Sequence, residues 1–432
     1  MKRLMILGGT HYIIPVIQKA HELGLYVITC DYLPDNIAHK YSDEYCNVSV
    51  IDKDAVLSAA KRLKADGIIS FACDPGVVSA AYTAEKMGLP FQGPYESVRI
   101  LQDKGLFRKF LAEHKFNAPK AKRYTDKSAP FSDTEYFTWP VIVKPVDSAG
   151  SKGVNRVDSP EDLAPAIDSA VQESHNGAFI IEDFLQFVGH PTDSDHFTEN
   201  GELTFSEFNE QFFDTEAANP YTPAKYIFPS QMKKEHQKIL SDDLQRLMSL
   251  LNMQTGLYNI ETRIASDDKP YIMEVSPRGG GNKLAELADM AYGACLVENE
   301  IRKAVNMPLN DTQPHEISGC WCEMVIHARS GQSGFFRRLN IDSDIMTRYV
   351  KLVALGVSEG ARVRPFTGAN AALGNMFLHF SDREELEKVM SKSHEWMNIE
   401  LSSAKILTGG GAYRATVIIL SSSCPYEWRA AA

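Results

Sequence analysis

The chain has no apolar run approaching the length of a membrane span. It has no basic excess either: across 432 residues the net charge is -11, so the basic face of a general nucleic-acid binder is missing, while local basic pockets remain open. Cysteine is scarce. Seven cysteines, an odd number at irregular spacing, fit reduced thiols in a cytosol better than a disulfide framework. The only close pair, Cys320-Trp321-Cys322, has no second pair to complete a zinc site, and its alternation with Met324 reads as strand packing. The start, Met1-Lys2-Arg3 followed by Leu4 to Leu7, carries too short an apolar run for a signal peptide. Internal repeats and low-complexity tracts are absent. What remains is an ordinary soluble composition, 44% hydrophobic and 23% charged, long enough for two to four domains. The expected location is cytoplasmic, with no nucleic-acid partner and no membrane.

The usual phosphate motifs are missing too. There is no GxxxxGK[ST] loop, no GxGxxG before a helix, and no HRD or DFG. A different arrangement lies at Trp139 to Val154, WPVIVKPVDSAGSKGV. Val141, Ile142 and Val143 read as a buried strand with Lys144 at its end, and Pro145 is expected to stop ladder pairing. The small-residue loop Ser148-Ala149-Gly150-Ser151-Lys152-Gly153 follows, where backbone N–H groups can approach an anion closely. A fixed lysine beside such a loop suits a polyphosphate.

Glu261 and Glu274 lie on two predicted strands, Gly256 to Ile264 and Tyr271 to Val275, joined by the turn Asp267-Asp268-Lys269-Pro270. Two carboxylates thirteen residues apart across that turn can converge, and hard oxygen ligands suit Mg²⁺ bridged to phosphates. The alternative is a pair of exposed strand glutamates, but both sit on strands that look largely buried, where unpaired carboxylates are expensive. Arg278 offers a planar fork for a phosphate or carboxylate. Gly279-Gly280-Gly281-Asn282 then opens a helix from Leu284, an anion-friendly backbone that makes Gly280 and Gly281 candidates for a substrate carboxylate. Asp74 follows the predicted strand Gly67 to Phe71, and ligands in open α/β sheets bind beyond strand C-termini. It is a candidate for contacting an acceptor amine, with a plain helix N-cap as the equal alternative.

Strand lysine, glycine loop, the acidic hinge Ile180-Ile181-Glu182-Asp183-Phe184-Leu185, and then Glu261 with the run Met273 to Arg278 follow one another in that order. This series resembles the ATP-grasp superfamily of carboxylate ligases, over roughly residues 1 to 400, with the L-amino-acid-ligase-like and carbamoyl-phosphate-synthase-like proteins as the nearest patterns. The resemblance implies ATP with Mg²⁺, or Mn²⁺ in its place. It implies that Lys104 of the Asp103-Lys104 pair reaches the phosphates beside Lys144, Ser148, Gly150, Ser151 and Gly153. Glu182 would accept from the adenine amine, Asp183 and Leu185 would offer main-chain groups, and His190 would contact the ribose. Glu261 and Glu274 would hold the metal. Ser276 stands where the family often has an asparagine ligand, so a second metal would be held more weakly. Arg278 would stabilise the acyl phosphate and the tetrahedral intermediate. The glutamate often found just past His190 is replaced by Pro191 and Thr192.

The expected fold is α/β and α+β multidomain. A doubly wound parallel sheet of Rossmann type spans residues 1–94, and without GxGxxG its Asp31 is not read as a ribose ligand. A two-lobed ATP-grasp fold spans 95–310, with a clamp lobe near 119–185 and a metal-binding lobe near 186–310. A small α+β cap spans 311–401, and 402–432 is a tail without assigned structure, a strand at Thr416 to Leu420 excepted. Helices are expected at Glu96 to Glu113, at Ser159 to Val171 with Ser159 as N-cap, at Gln231 to Leu251 with Ile239 among its apolar positions, and at Asp382 to Trp396. The expected activity is coupling of a small-molecule carboxylate to an amine through an acyl phosphate, giving an amide, ADP and phosphate. The resemblance leaves room for a homodimer. Rival readings are a carboxylase of the biotin or purine type, for which no biotinyl-carrier segment is present, and a non-catalytic nucleotide-binding module, which would lose the metal carboxylates. Carbamoyl-phosphate synthesis normally uses a doubled module, and only one is found here.

Overall fold

A computed structural model describes residues 1–148, 150, 152–403 and 417–419 of the chain. The described chain divides into two compact units. The first gathers Met1–Glu207, Met232–Gly281 and Ala294–Gln313, and the second gathers Phe208–Gln231, Asn282–Gly293 and the stretch from Pro314 onward.

The first unit begins with a parallel sheet of β1 (Arg3–Leu7), β2 (Tyr26–Asp31), β3 (Glu44–Asn47) and β4 (Gly67–Ser70), in the order β3-β2-β1-β4. The β1 and β4 cores are continuous apolar runs, as parallel strands covered on both faces require. Asp31 turns its carboxylate back on its own loop, accepting from Leu33 N at 2.9 Å and Asn36 Nδ2 at 3.0 Å. The helix Asp74–Met87 follows β4 and ends at Gly88, whose φ of +67° provides the left-handed cap.

The expected single helix from Glu96 to Glu113 is two helices, Tyr95–Gln102 and Lys104–Glu113. Asp103 breaks it with an extended backbone, its carboxylate accepting from Gly105 N at 2.9 Å and Leu106 N at 3.0 Å. A side chain that can cap competes with continuing the helix. Lys104 therefore sits in a first turn, not in a helix interior.

An antiparallel sheet of β5 (Ala121–Tyr124), β6 (Val141–Pro145), β7 (Asn155–Val157) and β8 (Phe179–Asp183) follows in the order β5-β8-β6-β7. Pro145 does not end the pairing: it lies opposite Phe179 at the end of β6. The helix expected from Ser159 starts at Leu163 after a short 3₁₀ turn, and Ser159 makes no backbone cap bond. A second antiparallel sheet has the order β10-β9-β13-β14, from β9 (Phe187–Glu199), β10 (Glu202–Phe205), β13 (Gly256–Ala265) and β14 (Pro270–Ser276). β9 is not expected from the sequence, because both its faces are buried from Pro191 to Thr198, yet they carry Thr192, Asp193, Ser194, Asp195, His196 and Thr198 where a core strand would show apolar residues. In the helix Lys234–Leu250 the inward position is Leu240, whereas Ile239, read as apolar-face, is 38% exposed.

The second unit holds a six-stranded sheet of order β11-β12-β15-β19-β17-β21. Its strands are β11 (Glu210–Phe213), β12 (Pro223–Phe228), β15 (Cys320–Ile326), β17 (Val350–Leu355), β19 (Gly374–Phe380) and β21 (Val417–Ile419). A three-stranded sheet joins β16 (Gly334–Ile341), β18 (Arg362–Val363) and β20 (Met397–Ser402) in the order β18-β16-β20. A core that includes Cys322, Val353, Met376, Leu378, Phe380 and Leu386 lies in this unit. The helix expected from Asp382 to Trp396 stops at Met390, with Asp382 capping it through Glu385 N at 2.9 Å. Among the described residues no helix is long and apolar enough to cross a membrane.

Candidate active site

Within the first unit, Glu261 of β13 and Glu274 of β14 are direct cross-strand partners. Asp193 of β9 lies opposite Glu261 on its other side. Three carboxylates thus stand in a row across three neighbouring strands. Burial, then Glu274, then Asp193 push the Glu261 carboxyl up to about 7. Lys104 Nζ lies 3.3 Å from Glu274 Oε2 and donates to Ser148 O at 3.2 Å. Burial alone would lower the Lys104 pKa, but Glu274, Asp74 and Glu261 together raise it and keep it a cation. Sequence reasoning named Lys104, Glu261 and Glu274, and here they lie next to one another. It missed Asp193, because a single aspartate among threonines and serines gives no motif.

Among the described residues no group of three or more His, Cys, Asp or Glu side chains is arranged to hold a metal ion by itself. The two paired glutamates still fit Mg²⁺, which is commonly held by one or two carboxylates together with substrate phosphates and water. Their mutual repulsion, seen in the raised Glu261 pKa, is what a bound divalent cation would offset.

The glycine loop is described at Ser148, Gly150 and Gly153; Ser151 lies outside the described residues. Gly150 has φ +70° with nothing near an added Cβ, so open space surrounds it. Gly153, at φ +67°, approaches the helix Leu163–Glu173, where a Cβ would meet Ser169 O at 3.1 Å. Gly153 is thus required by close packing, whereas Gly150 leaves the loop clear.

At the hinge, Lys144 of β6 pairs with the Glu182 carboxylate of β8. The other carboxylate oxygen takes Arg108 Nε at 2.8 Å, and Arg108 Nη1 donates to Met273 O at 2.8 Å. Burial opposes a charge on Glu182, yet Arg108 and Lys144 overcome it and hold its carboxyl at about 2. For Lys144 burial prevails and lowers the pKa despite Glu182. Both Glu182 oxygens are therefore engaged, which corrects the picture of a carboxylate reserved for adenine; any further acceptor role falls to its remaining lone pairs. Arg108 was missed. The only signal was an arginine on the inward face of its helix, where it is 3% exposed.

The main-chain expectation for Asp183 needs a similar correction. Its N–H donates to Lys120 O at 2.9 Å and its carboxylate accepts from Thr138 N at 2.9 Å. Leu185 is half-buried just past the strand. His190 is not in a loop. It is exposed on β9, where four steps from Val188 to Thr192 match two from Ile264 to Thr262, so it sits in a bulge.

Arg278 and Asp74 meet at a third point. Arg278 Nε donates to Asp74 Oδ1 at 2.9 Å and Nη2 to Asp74 Oδ2 at 2.8 Å. Ser276 Oγ donates to Asp74 Oδ1 at 2.8 Å and accepts from Gln102 Nε2 at 2.9 Å. Asp74 thus makes no side-chain cap, although it starts its helix. Nor is it held out for an amine. Burial opposes its charge, but Arg278 and Ser276 depress its pKa. The Ser276 hydroxyl is likewise spent inside this network and not turned toward a metal. Gly279 is a glycine for packing, since a Cβ there would meet the Phe71 ring at 2.4 Å. Gly280 N donates to the buried Asp195 carboxylate at 2.9 and 3.0 Å, so this N–H is not held for a substrate as expected. Gly281 has open space around an added Cβ.

Residues 137–286 match the model of the ATP-grasp domain family. Among curated proteins, a formate-dependent phosphoribosylglycinamide formyltransferase of Parasynechococcus marenigrum is 24% identical over 317 residues, covering 71% of this chain and 78% of that one. Among solved structures, L-amino acid ligase from Bacillus licheniformis superposes with a TM-score of 0.75 at 20% identity, over 93% of this chain and 99% of the other. The biotin carboxylase domain of Hydrogenobacter thermophilus 2-oxoglutarate carboxylase, solved with MgADP and bicarbonate, gives 0.72 at 15% identity over 92% and 90%. The ordered set of strand lysine, glycine loop and paired glutamates, on this fold and with this family match, leads to one conclusion: residues 137–286 of the chain carry an ATP-grasp domain.

Proposed function

We propose that the chain is an ATP-dependent carboxylate–amine ligase. In this reading Lys104, Lys144 and the backbone around Gly150 hold the phosphates of ATP. The hinge near Glu182 to Leu185 takes the adenine, and His190 approaches the ribose. Glu261 and Glu274 would hold Mg²⁺, with Mn²⁺ able to replace it, and the bound ion would neutralise charge on the β- and γ-phosphates. A substrate carboxylate oxygen attacks the γ-phosphorus, the bond to ADP breaks, and an acyl phosphate forms. An amine then attacks the acyl carbon and loses a proton, phosphate leaves, and an amide results. Arg278 faces the anionic intermediates, and Gly281 leaves room for the acid. No side-chain nucleophile is needed.

The observation that carries this reading is the Arg278 seat. A buried guanidinium, fixed by Asp74, follows the glutamate pair by four residues in the chain and gives a preorganised positive group for a developing oxyanion. The presence of both glutamates speaks against a non-catalytic module. A carboxylase would turn over ATP with bicarbonate alone. The test is ADP release from Mg-ATP across a panel of amino acids and amines, with bicarbonate as a separate arm. Release that requires an organic acid is expected, and bicarbonate-dependent release without any acid would overturn the ligase assignment.

A further inference from the structure

The second unit contains a buried polar group that the proposed reaction leaves unexplained. On β15 the apolar side of the sheet takes Cys320, Cys322 and Ile326. Glu323 points the opposite way and is 0% exposed. Tyr226 of β12 is its cross-strand partner, and Asn375 of β19 donates Nδ2 to its carboxylate at 2.5 Å. The helix Leu284–Tyr292 packs against β15. Lys283, just before that helix, and Glu286 in its first turn are both buried, 3.5 Å apart, and both act electrostatically on Glu323.

The group has too few donors. Glu323 Oε2, Asn375 Oδ1 and both Glu286 oxygens are buried without a hydrogen-bond partner among the described residues. Lys283 acts on both carboxylates, and its distance from Glu286 is that of an ion pair without a hydrogen bond. Native interiors seldom leave such acceptors unserved, and several in one place mark a ligand or catalytic position. What they lack is N–H donors with positive charge. An ammonium brings three and a guanidinium five. Burial pushes the Glu323 carboxyl well above its usual range, a cost that an incoming cation would relieve.

We infer that Glu286, Glu323 and Asn375 form a binding site within the second unit for a cationic nitrogen, that of a basic amino acid or a polyamine. This site does not depend on the ligase reading, and binding to it is measured by itself.

The test is calorimetric titration of the full chain, with Mg²⁺ and ADP present, by L-lysine, L-arginine, putrescine and L-leucine. At least one cationic probe should bind ten-fold or more tightly than L-leucine. Glu323→Gln and Glu286→Gln should each weaken that probe ten-fold or more while leaving ADP affinity unchanged. Glu323→Gln keeps the side-chain shape and adds an N–H donor, so its melting temperature should not fall, and a loss of binding will not reflect unfolding. Preference for lysine or arginine over putrescine assigns an amino acid, and the reverse assigns a polyamine. Equal binding of all four probes, or cation binding untouched by both variants, overturns the inference. Cation-specific binding without ADP formation from any acid and amine pair would preserve this site and sink the ligase reading.

Discussion

Asp74 and Arg278, 204 positions apart in the chain, form a two-pronged ion pair with contacts of 2.8 and 2.9 Å, and Ser276 adds a third bond to the same carboxylate. Arg278 is 7% exposed, so the pair is largely out of water. Removing one partner of such a pair leaves an uncompensated buried charge, at a cost of roughly 3–5 kcal/mol. Arg278→Ala should therefore lose stability as well as turnover. Asp74→Asn combined with Arg278→Ala should recover much of the stability but none of the turnover. Urea unfolding of the two single variants and the double variant measures this coupling. Additive losses in the double variant would show that the two residues act independently.

Lys144 is held by Glu182 at the end of β6. Lys144→Ala should weaken ATP and ADP binding by about 1.5–3 kcal/mol, the scale of a charge-assisted contact. Calorimetric titration with ADP is the direct measurement. Unchanged affinity would mean that this lysine does not face the nucleotide.

These two relationships also show what could be read before the fold was known. Short-range signals were legible: β-branched runs gave β6 and β8, and a turn between two strands set Glu261 opposite Glu274. Each rests on periodicity or on turn chemistry carried by adjacent residues. The Asp74–Arg278 pair was not legible, because nothing local distinguishes a capping aspartate from one whose partner lies 204 positions on. Asp103 was read as part of one long helix because its neighbours keep helical spacing; only the cap bonds to Gly105 and Leu106 show the break. β9 escaped notice because a polar functional face erases the alternation that announces a strand.

The carboxylate row Asp193, Glu261, Glu274 places like charges directly opposite one another, which destabilises a sheet. Glu261→Gln should raise the melting temperature of the protein in EDTA, since it removes the middle charge. It should also abolish the extra stabilisation that Mg-ADP gives and reduce phosphate release to background. Thermal melts with EDTA and with Mg-ADP read both effects. A variant that melts lower in EDTA, or one still stabilised fully by Mg-ADP, would contradict the assigned role of the row.

The hinge carries a pH signature. Arg108 and Lys144 hold the Glu182 carboxyl at about 2, against an ordinary value of 4.5. A carboxylate whose pKa is lower in the folded state adds stability that is fully present above its unfolded pKa. That stability is lost as pH falls through the folded value. The shift corresponds to roughly 3 kcal/mol. Glu182→Gln should thus be less stable than the parent chain at pH 7 by at least this order, because it also strands two buried cations. The gap should narrow between pH 4.5 and 2, as the parent protonates Glu182 and loses the same interaction. Arg108→Met should show a smaller version of this slope, since Lys144 alone remains on Glu182. Urea midpoints of the three proteins at pH 7, 5, 4 and 3 provide the comparison. A stability gap that stays constant over that range would mean that Glu182 is not ionised by its two partners, and the hinge would have to be held together in some other way.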